Sequence, residues 1–317
     1  MFRLPGAYDL KAARFFESLA SLLDAGLTPA AALEQPGLRN FFPAAGAEAA
    51  ASLRAGGSLT NAFVILQFDE KTCLRIEAAE TSGRIANALR RLAQERTRRA
   101  KLIQTAAGKL VYPIFLIHFA AFVRGLIVTI GSTSANGVLA ALSLAIPIDA
   151  VLILIGILVY KSTRGGLVTD FALRIPGARS VLRDVWLAPF LWTLADLYES
   201  GVPLDSAVSR SAGGAAPVFT NEMNSVSAAV RSGKPLVPAI GATPFVDETT
   251  LTILQPAEIT GTLTNGLLRS AELVEDRLAK SLTIASRAPG TILYIAAILI
   301  VASMVFKFYS ERFQLPG

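Results

Sequence analysis

Two adjacent carboxylate pairs, Asp69-Glu70 and Asp247-Glu248, are the first residues whose types suggest chemistry. Such pairs can bind a hard cation. Each falls at an expected helix start, where acids complement the helix dipole. That structural reading is preferred, and a weak metal site stays open beside it. Glu80 and Glu258 are harder to place, because each stands three residues before a helix-ending glycine, Gly83 or Gly261. Negative charge near a helix C-terminus is unfavourable. Something must compensate, either an internal arginine such as Arg54 or Arg231 or a binding partner. No phosphate loop, nucleophile elbow or His-Glu-x-x-His motif occurs. The single histidine, His118, and the single cysteine, Cys73, exclude multi-histidine and multi-cysteine metal sites and an internal disulfide framework. Cys73 reads as a small core residue. No catalytic, cofactor-binding or metal-ligating residue is therefore predicted.

These acids are positioned by a sequence that repeats itself about 175 residues further on. Leu19-Ala20-Ser21-Leu22-Leu23-Asp24-Ala25-Gly26-Leu27 returns as Leu194-Ala195-Asp196-Leu197-Tyr198-Glu199-Ser200-Gly201-Val202. Leu53-Arg54-x-Gly56-x-x-Leu59-x-x-Ala62 returns as Val230-Arg231-x-Gly233-x-x-Leu236-x-x-Ala239. Glu80-x-x-Gly83-x-Ile85-x-Asn87 returns as Glu258-x-x-Gly261-x-Leu263-x-Asn265. Blocks that recur in order and nearly in register mark a duplicated domain. Apolar residues at helical spacing (Phe15, Phe16, Leu19, Leu22, Leu23; Leu187, Phe190, Leu191, Leu194, Leu197) predict that both copies are helical. Thr28-Pro29 is a helix start signal, and Gly26 and Gly201 are stop signals. Pro256 is expected to break the helix leading into Glu258.

The chain is 317 residues long, 52% hydrophobic and 17% charged, with a mean hydropathy of +0.50. That balance fits polar helical domains joined to a few membrane spans. The net charge of +6 does not point to nucleic acid, because the basic residues flank the apolar runs. The predicted organisation is a first helical domain over 1–109, spans over 110–130 and 138–160 joined by a loop at 131–137, and a connector over 161–185. A second helical domain over 186–287, a third span over 288–308 and a tail over 309–317 follow. Arg96, Arg98, Arg99, Lys101 and Lys109 precede the first span, Lys161 and Arg164 follow the second, and Arg277, Lys280 and Arg287 precede the third. The positive-inside tendency then places the N-terminus and both domains in the cytoplasm, with the loop and tail outside. The segment from Phe15 to Leu33 is interrupted by Glu17, Asp24 and Gly26 and does not read as a signal peptide.

Arg124 and Asp149 lie inside expected spans, where ionised groups are expensive. At about 1.5 Å per residue from the loop, Arg124 is roughly 10 Å deep and Asp149 roughly 16 Å. They either pair with each other, or Arg124 reaches the interface while Asp149 faces water or a neighbouring subunit. From Arg84 to Lys109 only Gly108 interrupts the helical pattern, so each domain is expected to run into its span as one helix.

This arrangement resembles the type II secretion F domain family, the inner-membrane platform proteins of type II secretion systems and type IV pili. The resemblance rests on Leu-Ala-x-Leu-Leu-x-Ala-Gly-Leu early and Glu-x-x-Gly-x-Ile/Leu late in each copy, and on two spans after the first copy and one after the second. It covers about Leu10 to Phe308. It implies an all-α membrane protein with two cytoplasmic six-helix bundles and three transmembrane helices, in a bacterial inner membrane. The implied role is non-catalytic, coupling a cytoplasmic hexameric assembly ATPase to pilin or pseudopilin polymerisation. The implied partners are that ATPase, pilins or pseudopilins, other inner-membrane assembly proteins, membrane lipid and further copies of the chain, with no nucleic acid and no cofactor. Glu80, Gly83, Arg84, Glu258 and Gly261 are the implied partner-binding residues. Where the family has glycine before the late glutamate, this chain has Ala79 and Ala257. An oligomeric channel, transporter or receptor with cytoplasmic helical domains is the alternative.

Overall fold

The computed structural model describes residues 6–131 and 176–312, with scattered helical positions between 139 and 174. Among the described residues every regular element is a helix. The first repeat comprises α1 (Ala7–Asp24), α2 (Pro29–Glu34), α3 (Pro36–Arg39), α4 (Pro43–Arg54), α5 (Leu59–Ile65), α6 (Glu70–Ser82) and the opening of α7 (Ile85–Gly131). The second comprises α8 (Pro176–Glu199), α9 (Leu204–Ala212), α10 (Pro217–Arg231), α11 (Leu236–Gly241), α12 (Glu248–Ile259) and the opening of α13 (Leu263–Arg312). Six helices thus recur in order, and the single turn α3 is an addition to the first copy.

Local chemistry sets the boundaries. Thr28 accepts a hydrogen bond from the Ala31 amide at 3.3 Å, with Pro29 in the first turn of α2. Ser58 and Asp69 cap α5 and α6 in the same way, through the amides of Asn61 and Thr72. At the ends of α6 and α12, Gly83 and Gly261 adopt φ of 70° and 71°. In both, the next amide (Arg84 or Thr262) reaches back to the carbonyl of Ala79 or Ala257 at 2.9 Å. Pro256 does not break α12, contrary to the sequence expectation. Its ring sits on an exposed face of a helix that continues to Ile259, and the corner beyond it matches that of the first copy.

Each repeat has its own apolar core. In the first, Phe15, Phe16, Leu19, Phe63 and Phe68 pack together, with the Phe16 and Phe63 rings stacked at 5.9 Å. In the second, Trp186, Phe190, Leu194, Phe219 and Phe245 do so, with Phe219 edge-on to Phe245 at 5.2 Å. Burying such a side chain contributes roughly 1.5–3 kcal/mol, so these clusters dominate the stability of each bundle.

The chain divides into two compact units, one of residues 1–103 and 163–279, the other of 104–162 and 280–317. The first unit holds both repeats, and within it α8 rests on α6. Leu74 and Ala78 of the first repeat join the core of the second. A comparison of α1 with α8 shows why the copies differ. Lys11, Glu17, Ser18 and Ser21 on α1 are exposed, while their counterparts Trp186, Trp192, Thr193 and Asp196 on α8 are buried. One helix keeps a solvated face, and the other is covered on both sides.

Of the three expected spans, 110–130 falls on the distal part of α7 and 288–308 on that of α13. The span 138–160 lies largely outside the described residues, as do the loop at 131–137 and much of the connector. Among the described residues no helix is long and apolar enough to cross a membrane. The second unit nevertheless exposes large apolar side chains along its helices, among them Phe115, Phe122, Ile153, Leu299 and Phe306.

Candidate interaction face

The acidic corners are capping devices. The Glu80 carboxylate accepts from the amides of Leu59 at 2.7 Å and Thr60 at 3.2 Å, and from the Thr60 hydroxyl at 2.9 Å. The Glu258 carboxylate accepts from the amides of Leu236 at 2.5 Å and Val237 at 3.1 Å. The charge disfavoured at the end of its own helix lies at the start of another, where amides lack intrahelical partners. The arginines expected to compensate are elsewhere: Arg54 pairs with Glu34 and Arg231 with Asp205. The signal was present in the sequence, since each late glutamate recurs together with an early helix start, Leu59 or Leu236.

The paired acids are also internal. Asp69 accepts from the Thr72 amide and from Arg96, which bonds Asp9 at 3.2 Å as well. Burial pushes the Asp69 pKa up, but the Arg96 charge and the hydrogen bonds from Thr72 and Arg96 leave it below the usual carboxylate range. In the second copy Arg277 bonds Asp184 at 2.7 Å and Asp247 at 2.6 Å. Burial opposes ionisation of Asp247, and hydrogen bonds from Arg277 and Thr250 overcome it, holding the pKa at about 2. A guanidinium thus stands where the metal reading of these acids needed a cation. Arg277 corresponds in sequence to Arg99, one turn beyond Arg96, so the two copies fill equivalent clamps from adjacent turns. Glu70 and Glu248 are exposed at the helix starts.

The face between the repeats is built around Arg75, whose side chain is 3% exposed. Its Nε donates to Asp196 at 2.6 Å and its Nη1 to Glu95, while Nη2 is buried without a hydrogen-bond partner among the described residues. Arg91 donates to the other oxygen of Asp196 at 2.8 Å and pairs with Glu199. Arg84 donates to the Glu199 carbonyl at 3.0 Å, giving the C-terminus of α8 a cation. Arg210 of α9 pairs with Glu77 at 2.9 Å. Arg98 reaches Glu272 at 2.6 Å and Glu275 at 3.5 Å and lies over the Trp192 ring, 5.7 Å from its centroid. Burial, reinforced by the nearby Glu95 charge and opposed by Arg98, pushes the Glu275 pKa up to about 7.

Of the residues predicted from sequence, Glu80 and Glu258 sit at helix starts within their own copies and Gly83 and Gly261 form the adjoining turns. Arg84 alone among the five reaches the other repeat. Arg75 and Asp196 were missed. The clue was an acid, Asp196, in the otherwise apolar run Leu194 to Leu197, facing an arginine flanked by Leu74 and Ile76.

In the second unit, Asp149 lies 3.4 Å from His118 Nε2, whose Nδ1 is 2.8 Å from the Ile114 carbonyl oxygen. The Arg124 side chain lies outside the described residues, and with it the expected Arg124–Asp149 pair. The depth count could have found His118: at about 1.5 Å per residue it falls roughly 20 Å from the loop, closer in level to Asp149 than Arg124 is.

The fold and its faces define a tandem-repeat helical protein whose two bundles dock on each other through charge. The family described as "Type II secretion system (T2SS), protein F" matches residues 15–133 and 190–310, once over each repeat, and the chain belongs to that family. No curated protein matches the chain.

Proposed function

We propose that this chain is a non-catalytic inner-membrane platform protein of a type II secretion or type IV pilus machine. It takes mechanical input from a cytoplasmic assembly ATPase and offers its spans to pilin or pseudopilin helices. Family membership over both repeats is the observation that carries this reading. The apolar side chains exposed along the second unit support it, because a surface of that kind is suited to lipid or to other membrane helices. The basic residues before and after the expected spans support a cytoplasmic location for both repeats. α7 and α13 each extend as one helix from a repeat into an expected span, a route by which displacement of a bundle reaches the bilayer.

The acidic corner of the second repeat is the place to probe, since Ile259 beside it is 78% exposed. A photo-crosslinker at Ile259, in cells expressing the whole machine, is expected to capture the assembly ATPase or a pilin. Fractionation of the chain away from the membrane, or membrane-bound chain that captures neither, would sink the proposal.

A further inference from the structure

The surface that holds α8 exists twice in this chain, and among the described residues only one copy of it is filled. In the first repeat Leu74, Arg75, Ala78, Arg91, Glu95 and Arg98 of α6 and α7 carry α8 and its surroundings. The same positions of the second repeat are Thr252, Ile253, Pro256, Arg269, Leu273 and Asp276. These six residues, together with Glu272, which pairs with Arg98, line an open groove of about 520 Å3 between α12 and α13. We propose that this groove docks an amphipathic helix from a partner protein, seated as α8 is seated on α6 and α7.

The substitutions between the two surfaces describe the occupant. Arg75 and Glu95 pair with each other in the filled copy, and both are replaced by apolar residues, Ile253 and Leu273, in the open one. A face that only met water would gain nothing from exchanging an ion pair for isoleucine and leucine. A helix with an apolar ridge, in place of Asp196, does. Arg91 binds Glu199 near the C-terminal end of α8, and its counterpart Arg269 is exposed, without an ion-pair partner among the described residues. Arg98 lies over Trp192 one to two turns earlier, and its counterpart is Asp276. The occupant therefore carries a basic residue toward its N-terminus, an apolar ridge in the middle and an acid toward its C-terminus. A second copy of this chain offers α1 for the equivalent contact, but at the positions of Trp192 and Asp196 it places Glu17, which would face Asp276, and Ser21, which supplies no apolar ridge, while Asp24 at the position of Glu199 is already paired with Arg90.

The test uses the full chain in detergent and a labelled synthetic helix patterned on residues 186–200. In this peptide Trp192→Lys and Asp196→Leu match the groove, Glu199 is kept, and the core-facing Leu187, Phe190, Leu191 and Leu194 become glutamine. Saturable binding is expected by fluorescence anisotropy. Ile253→Asp and Arg269→Glu should each weaken it by about tenfold or more, as loss of an anchor does. A peptide with Glu199→Lys should regain affinity for the Arg269→Glu chain and lose it for the parent. Both protein positions are at least partly solvent-accessible, and thermal melting confirms that the variants fold. Absence of saturable binding, or binding indifferent to both variants and to the charge swap, overturns the proposal. So does an Ile253→Asp chain that changes oligomeric state by light scattering, which makes the occupant a second copy. The assay contains no ATPase or pilin, so its failure is distinct from failure of the platform reading.

Discussion

Glu80 and Glu258 show how a residue that looks functional in sequence can serve the fold. Each neutralises the start of a short helix that has little intrinsic stability of its own. Glu80→Ala is expected to cost about 1–2 kcal/mol and to raise amide exchange at Leu59 and Thr60 ahead of the rest of the bundle. Hydrogen exchange read by mass spectrometry checks this. Glu275 makes a pH-dependent contribution. Its folded pKa is raised from the ordinary glutamate value to about 7, so the folded state binds more protons between those values. Stability contributed by the protonated carboxyl is then lost as pH rises through about 7. Glu275→Gln should flatten that slope and raise the melting temperature at pH 8 while changing little at pH 5. Asp247 has the reverse sign. Its pKa is lowered to about 2, so its contribution is present above the ordinary carboxylate range and is lost only in strong acid.

At the scale of elements, the decisive contact is α8 against α6 and α7. Arg75 and Asp196 are both almost fully buried, and removing either leaves the other charged and enclosed. Arg75→Ala or Asp196→Ala is expected to cost about 3 kcal/mol, the low end for breaking a buried pair, because Glu95 or Arg91 still partners the charge that remains. The double variant should cost clearly less than the sum, and denaturant titration of the four proteins gives the coupling. A buried pair of this kind adds little over a well-packed apolar replacement; with Arg91 and Glu199 it joins the last turns of α8 to α7. The clamps at Asp69 and Asp247 tell a related story. The acids are at equivalent positions, but the arginines come from adjacent turns, because residues three apart on a helix share a face.

At the scale of the molecule, the two repeats meet through different surfaces, α6 and α7 of the first against α8 of the second. A contact of that kind can propagate from chain to chain unless one of its surfaces is blunted. The outer face of α1 is polar and does not offer the apolar surface that α8 offers to α6 and α7. The second repeat expressed alone, residues 176–279, should therefore expose Trp192 and its neighbours, bind a hydrophobic dye and aggregate. The first repeat alone, residues 1–103, should remain more soluble. Size-exclusion chromatography and dye fluorescence compare them directly.

The sequence by itself determined the duplication, the helical class, the family and the main helix boundaries. These follow from local patterns: apolar spacing, capping side chains and glycines whose positive φ the turn requires, as at Gly83 and Gly261. It also displayed the difference between α1 and α8, since Lys11, Glu17 and Ser21 align with Trp186, Trp192 and Asp196. Only the tertiary structure decided what the charged residues do. Glu80 meets amides 20 and 21 residues away, Arg75 meets Asp196 across 121, and His118 stands beside Asp149. Local pattern reports which face of a helix is buried. Which charge ends beside which depends on how the faces are brought together, and that is set by packing of the whole bundle, over distances in sequence that no local pattern spans.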